Sequence, residues 1–384
     1  MGSLRLILAL AVVGFHAYFQ GEWTEDYPLT LPDGRAAVQM FYLISGFYMA
    51  LVLNEKYFGA ASNWLFYTNR FLRLWPSVVV VNIFVIASFF AMGEVRLYGR
   101  TSSISDFLAY LGSLDIASLV FLAFTNLFVI GQDLLWFLRF EPGGVSVVDG
   151  LEAGPNGPSL SLNHPLFTVA IEAFYYIISP FVIRRGWRVA LGFVIAGGLY
   201  HVGIFLAGLH RETWGYHFFL SAAYFYFLGA CAYHLYRKIK EEPVKAWLEA
   251  RRACVLAGCV AVLLMLVPIN WFVPRSTMFM APILALVVPF LFILTRKSRL
   301  DRMVGELSFG VYLIHYPILF IIGPAFDHFA LWLVASALSI AAALVLLYAV
   351  DLPIDRWRQR RATASTTARP RQTEDARRPS LQVP

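Results

Sequence analysis

Arg5 and His16 lie eleven residues apart in the first apolar run of the chain. On a helix, eleven steps of about 100° come to about 1100°, three turns plus about 20°. The two side chains therefore share a face and are separated along the axis by about 16 Å. This puts an arginine near one mouth of the span and a histidine deep toward the other. An arginine at a mouth suits phosphate, and a histidine held deep in a helix suits general-base work. The competing reading is a snorkelling arginine and a histidine hydrogen-bonded between helices.

Other groups with chemical potential lie in or beside apolar runs, where an ionisable side chain costs free energy and points to a function or a partner. Phe41-Tyr42-Leu43-Ile44-Ser45-Gly46-Phe47 contains a small pair, Ser45-Gly46, that lets a helix or a ligand approach the backbone. Arg70 and Arg73, followed by Trp75-Pro76, occupy neighbouring positions of a helix. They form an anion site suited to phosphates or act as a positive-inside anchor. Glu172 sits in the run from His164 to Tyr176, where a carboxylate must pair or take a proton. It would orient His16, bind a sugar hydroxyl or pair with an arginine. Ser308, Tyr312 and His315 share a later run, as packing residues or as participants. Cys231, Cys254 and Cys259 include no CxxC pair, so neither a metal site nor a disulfide framework is expected.

The elements that position these groups are membrane helices. Hydrophobic residues make up 59% of the 384 positions and charged residues 14%, against about a quarter charged in a soluble domain. A span needs roughly 20 apolar residues. Runs of that kind fall at 4–19, 36–54, 77–92, 164–183, 189–208, 217–236, 253–272, 278–294, 304–325 and 329–350. They do not alternate apolar with polar, which excludes an outer-membrane barrel. The expectation is an all-α polytopic membrane protein with ten crossings. The first run carries an arginine and a histidine, and no A-x-A-like cleavage site follows it, so it reads as a helix rather than a signal peptide.

Charges orient the bundle. Arg5, the pair Arg70 and Arg73, the group Arg184, Arg185 and Arg188, the basic stretch from Arg237 to Arg252, and the group Arg296, Lys297, Arg299 and Arg302 all fit the cytoplasmic side. Both termini then lie in the cytoplasm. Glu22, Glu25, Asp26 and Asp33 fit the outside. Residues 105–130 are apolar but broken by Gly112, Ser113 and Asp115, and must cross twice or not at all to keep this alternation. Residues 131–163, acidic and rich in Gly and Pro, form an outer loop. Residues 1–358 read as one membrane domain and 359–384 as a basic, disordered tail. The net charge of +7 follows from this orientation and needs no nucleic-acid partner.

Taken in order, these segments resemble the membrane-bound acyltransferase family 3. The match comprises Leu4-Arg5 through Phe15-His16, Val38 through Phe47, Asn69 through Pro76, Thr168 through Tyr176, Leu307 through Pro317, and Val350-Asp351-Leu352-Pro353. This chain departs from the family's pattern at four positions. Gln39 stands where Asp is usual, Phe167 where Trp is usual, Asp351 where Glu is usual, and Leu6 where a glycine often follows the arginine. The resemblance implies transfer of an acyl group, commonly acetyl, from cytoplasmic acyl-CoA to a hydroxyl of a saccharide or lipid-linked sugar, in a bacterial-type inner membrane. It implies acyl-CoA as co-substrate and no permanently bound cofactor or metal. On this reading Arg5, Arg70 and Arg73 take the donor's phosphates. His16 is the base, Glu172 its orienter, Ser45 an oxyanion donor, and Tyr312 and His315 further candidates. The alternative is a glycolipid or polysaccharide transporter, which explains the helices and buried polar groups equally well but does not require a histidine and a glutamate facing a cytoplasmic phosphate site.

Overall fold

The computed structural model describes residues 1–18, 33–57, 62–98, 100–148, 156–272 and 276–358. Glu22, Glu25, Asp26, Gly154, Pro155 and the tail 359–384 lie outside the described residues.

The apolar runs are helices, as backbone self-satisfaction in lipid requires. In chain order the elements are α1 (Gly2–Tyr18), α2 (Gly34–Glu55), α3 (Ser62–Met92), β1 (Glu94–Leu97), β2 (Arg100–Ser103), α4 (Ile104–Gly112), α5 (Ile116–Phe128), β3 (Leu138–Glu141), β4 (Gly144–Val147), α6 (Leu166–Val182), α7 (Trp187–Leu206), α8 (Ala223–Ile239), α9 (Val244–Ala250), α10 (Arg252–Phe272), α11 (Ser276–Thr295), α12 (Arg299–Ile322) and α13 (His328–Leu346). Every expected span has a helix. Among the described residues, seven are long and apolar enough to cross a membrane, or eight if α9 and α10, bent by 86°, count as one span. Ten is therefore a coarse count. The two remaining helices, α1 and α8, have 17 residues each.

Two boundaries differ from expectation. Helix α3 starts at Ser62, 15 residues before the apolar run expected at 77–92, and continues through Pro76, so Arg70 and Arg73 belong to the same helix as that run. Residues 105–130 form α4 and α5, of 9 and 13 residues. At about 1.5 Å per residue neither reaches across about 30 Å of hydrocarbon. Asp115 caps α5 by accepting from Ser118 N at 2.9 Å, which explains the break there. Helix α5 is held against α3 by Trp75 Nε1, which donates to Leu127 O at 3.0 Å, and by Asn82 Nδ2, which donates to Asn126 O at 2.7 Å.

Close helix crossings fix the bundle core. A Cβ on Gly46 of α2 would lie 1.8 Å from the Tyr226 carbonyl oxygen of α8, and one on Gly229 of α8 would lie 1.8 Å from the Leu43 carbonyl oxygen of α2. The two backbones thus touch through reciprocal glycines, as small residues permit in membranes. Helix α1 docks on α12 through Asp301, which accepts from Met1 N, Gly2 N and Ser3 N at 2.9 Å each.

Between α3 and α6, where residues 131–163 were expected as an outer loop, the described residues form a structured cap. Two antiparallel hairpins, β1–β2 and β3–β4, build it. Arg96 Nη1 ties the first to the Phe320 carbonyl of α12 at 2.9 Å. Asp133, on a short 3-10 turn (Gln132–Phe137), is buried in this cap, and burial pushes its carboxyl up to about 6. A carboxyl raised in the folded state contributes full stability below its ordinary value of 3.8, and that contribution is lost as pH rises through about 6. Asp133→Asn is expected to raise the thermal midpoint of detergent-solubilised protein at pH 8, by the equivalent of at most about 3 kcal/mol. At pH 4 the gap closes. An equal gap at both pH values would show that the carboxylate's charge is not the cause.

Candidate functional site

Helix α1 carries His16 beside His315 of α12. His16 Nδ1 lies 3.1 Å from His315 Nε2, and His315 Nδ1 lies 2.7 Å from the Tyr312 carbonyl oxygen. A carbonyl only accepts, so His315 Nδ1 carries the proton and its Nε2 presents a lone pair. His16 Nδ1 must then donate to that lone pair. This leaves His16 Nε2 as the free basic nitrogen of a neutral pair whose tautomers are fixed in series. His315 is fully buried at 0% exposure, which explains why the partner, rather than solvent, sets the tautomer.

Two connected cavities run along the same helices. The larger, about 440 Å³, is lined by Arg5, Arg70, Arg73, Arg296, Arg302 and Arg358, with Glu172, Asp301 and Glu306 as its carboxylates. Asp301 is already engaged by the amino terminus at 2.9 Å, so the lining is strongly cationic. Arg73 pairs with Asp355 at 3.7 Å and Arg358 with Asp355 at 2.7 Å. Arg5 and Arg70 have no carboxylate within ion-pair distance among the described residues, and Arg70 Nε is buried without a hydrogen-bond partner. Guanidinium groups left open in a cavity are available to a polyanion. The smaller chamber, about 60 Å³, is enclosed by α1, α2, α6 and α12. It shares Arg5, Ser45, Glu172 and Phe309 with the larger one and ends at Tyr312.

Arg5, Ser45 and Glu172 line both cavities and so mark the neck where the two meet. Glu172 Oε1 accepts from Ser45 Oγ and Tyr176 OH at 2.5 Å each. It does not touch His16, so the orienting contact expected of Glu172 is made by His315 instead. Ser45 gives its only proton to Glu172, which leaves none for an oxyanion in this arrangement. Ser308 donates to the Gly305 carbonyl at 2.7 Å. Tyr312 bonds Thr168 Oγ1 at 2.7 Å and the Pro165 carbonyl at 3.2 Å. Its ring centroid lies 5.6 Å from that of His315. His16 lines neither cavity, and Tyr312 is the wall between the inner chamber and the histidine pair.

Several residues of the site escaped the sequence reading. Arg296 and Arg302 entered the sequence reading only as orientation signals and Arg358 was not singled out, yet all three line the cationic cavity. On the other side of His16, Tyr316 packs edge-on at 5.2 Å between ring centroids, and His164 packs on Tyr316 at 5.4 Å. His164 in turn stacks on Tyr98 at 4.1 Å. Asn163 Nδ2 donates to the Leu313 carbonyl at 2.8 Å, while Asn163 Oδ1 and His164 Nδ1 are buried without hydrogen-bond partners. The signal for this pair was available in the polar step Asn163-His164-Pro165 directly before an apolar run. No cluster of metal-ligating side chains occurs among the described residues.

Residues 2–351 match a family model described as an acyltransferase domain. No curated protein matches the chain, and no solved structure matches it.

Proposed function

Since the chain belongs to that family, acyltransferase family 3, and is an acyltransferase, we propose that it moves an acyl group, acetyl by preference, from acyl-CoA to a hydroxyl of a cell-surface saccharide or glycolipid. The observation that carries this reading is the course of the two cavities, from six arginines through the neck at Arg5 to Tyr312, one helical turn from His315. The donor's diphosphate and ribose phosphate bind the arginines. Its thin pantetheine arm passes Arg5, Ser45 and Glu172 and delivers the thioester to the inner chamber.

His16 Nε2 takes the proton of the acceptor hydroxyl as the oxygen lone pair attacks the thioester carbon. The carbonyl π pair moves onto its oxygen. Collapse restores the carbonyl and breaks the C–S bond, with the pair leaving on sulfur. The proton held by His16 passes to that thiolate. Tyr312 must swing away from Thr168 for acceptor oxygen and thioester to meet. Asn163 and His164, with unpartnered polar atoms beside Tyr316, are suited to hold acceptor hydroxyls. The arginine-lined end faces the cytoplasm of a bacterial-type inner membrane, with both termini on that side, because acyl-CoA and the excess of basic loops both belong there.

The test is transfer of label from radiolabelled acetyl-CoA to saccharide or glycolipid in membranes expressing the protein, read against acyl-CoA concentration. Arg70 holds no ion pair among the described residues and packs over the rings of Phe66 and Tyr176 at 5.8 Å each, so Arg70→Ala is compared with wild type at matched amounts of membrane-inserted protein. The expected result is a rise of about tenfold in the apparent KM for acyl-CoA, the size of one lost charge-assisted bond, with kcat nearly unchanged. An unchanged concentration dependence would remove Arg70 from the donor site.

A further inference from the structure

We propose that the Tyr42 hydroxyl is the donor that meets the acyl carbonyl oxygen in the inner chamber, so that Tyr42 is a catalytic residue. The inference rests on the acyl-CoA reading above and deepens it. It follows from where each hydroxyl proton of the chamber goes. Ser45 donates to Glu172 Oε1 at 2.5 Å. Ser308 donates to the Gly305 carbonyl at 2.7 Å. Thr168 donates to the Pro165 carbonyl at 2.9 Å. Tyr312 has only Thr168 Oγ1 and the same Pro165 carbonyl to donate to. Tyr42 OH has no hydrogen-bond partner among the described residues, and the residue is buried at 4% exposure. A buried hydroxyl without a partner is costly and rare, and this one lines a chamber that a substrate group enters.

Position supports the same role. Val38, Phe41, Tyr42 and Ser45 present one face of α2 to the chamber, at the spacing a helix face requires. Arg5, the other uncommitted donor, lines both cavities, whereas Tyr42 lines only the inner one, together with Tyr312. Arg5 therefore meets the arm at the neck, and Tyr42 meets what lies beyond it. The chamber's volume of about 60 Å³ suits a group of a few heavy atoms, such as a thioester carbonyl with a short acyl chain. As the acceptor oxygen attacks, the carbonyl π pair becomes an oxyanion that accepts the Tyr42 hydrogen bond. The bond weakens again when the carbonyl re-forms and the C–S pair leaves on sulfur. The tyrosine keeps its proton throughout.

The experiment is Tyr42→Phe in the full chain, with transfer from radiolabelled acetyl-CoA into membrane saccharide or glycolipid and a thermal midpoint measured on the same preparation. The substitution strips no protein hydrogen bond, so the midpoint is expected to hold or rise. The expected loss in kcat is about 10²–10³-fold, the usual effect of removing one oxyanion donor, with the apparent KM for acetyl-CoA unchanged. A kcat close to wild type overturns the proposal and leaves Arg5 as the donor. A fall in kcat accompanied by a fall in the midpoint also overturns it, because the hydroxyl is then structural. Wild-type protein that takes label from no acyl-CoA defeats the donor reading itself and Tyr42's role with it. That failure shows without any variant.

Discussion

His16→Ala lowers kcat for acyl transfer by about 10²–10⁴-fold, the range that a positioned general base supplies, and leaves the apparent KM for acyl-CoA close to wild type. The split follows from geometry. His16 lines neither cavity, so its removal takes nothing from the donor's binding surface. Its Nδ1 is committed to His315, and its Nε2 is the only basic nitrogen the pair presents. His315→Ala acts through His16 and is a test of positioning. Without the Nε2 acceptor, His16 keeps only its backbone contact with Val12 to hold the tautomer, and the fraction in the productive tautomer falls. Its expected loss is smaller, about tenfold to a hundredfold, given that a wrong tautomer alone is known to cost far more in a hydrolytic triad. Both variants should be compared at matched amounts of membrane-inserted protein. Retained turnover in His16→Ala removes His16 from the chemistry. A rise in KM equal to the fall in kcat/KM would instead place His16 in the donor site.

Gly46→Ala is expected to prevent assembly of the bundle. Its Cβ would lie 1.8 Å from the Tyr226 carbonyl oxygen and 2.7 Å from the carbonyl carbon. These are backbone atoms of a helix and cannot rotate away. Overpacking in ordinary cores costs about 1–3 kcal/mol because side chains yield, and here α2 and α8 would have to part along their length. Such a shift also moves the face that carries Tyr42 and Ser45. The matched control is Gly258→Ala in α10, where an added Cβ meets nothing within 4 Å. At that site alanine is neutral or favourable by up to about 1 kcal/mol, from helix propensity. Size-exclusion profile and thermal midpoint of the two variants decide the matter. A monodisperse Gly46→Ala protein with a wild-type midpoint would mean that the crossing is looser than the structure has it.

The sequence carried the helices because lipid leaves a chain few options, and long apolar runs can hardly be anything else. The shared face of Arg5 and His16 was legible from spacing within one helix. Contacts between helices were not. His16 and His315 are 299 positions apart, and no periodicity relates them. Glu172 was correctly read as a carboxylate in need of partners, but its partners are Ser45 and Tyr176. Nothing in the order of motifs distinguishes those hydroxyls from a histidine. The ten expected spans each have a helix, and a strict length criterion admits seven or eight because α1 and α8 are only 17 residues long. Ala9, Ala11, Val13 and Ala17 of α1 are 0% exposed. The cap between α3 and α6 was missed as structure because strands of four residues fall below what alternation can reveal. Its turns did leave a trace in Gly143 and Gly144, whose φ values of 101° and 151° demand glycine.

A membrane holds ion gradients, and a continuous polar path from the arginine-lined cavity to the histidine pair would weaken that barrier. Tyr312 stands in that path. Its hydroxyl is tied to Thr168 and to the Pro165 carbonyl, and its ring fills the gap between the inner chamber and the histidine pair. With that ring in place the polar groups on its two sides stay apart, so on the proposed reading a donor is loaded before any path for ions opens.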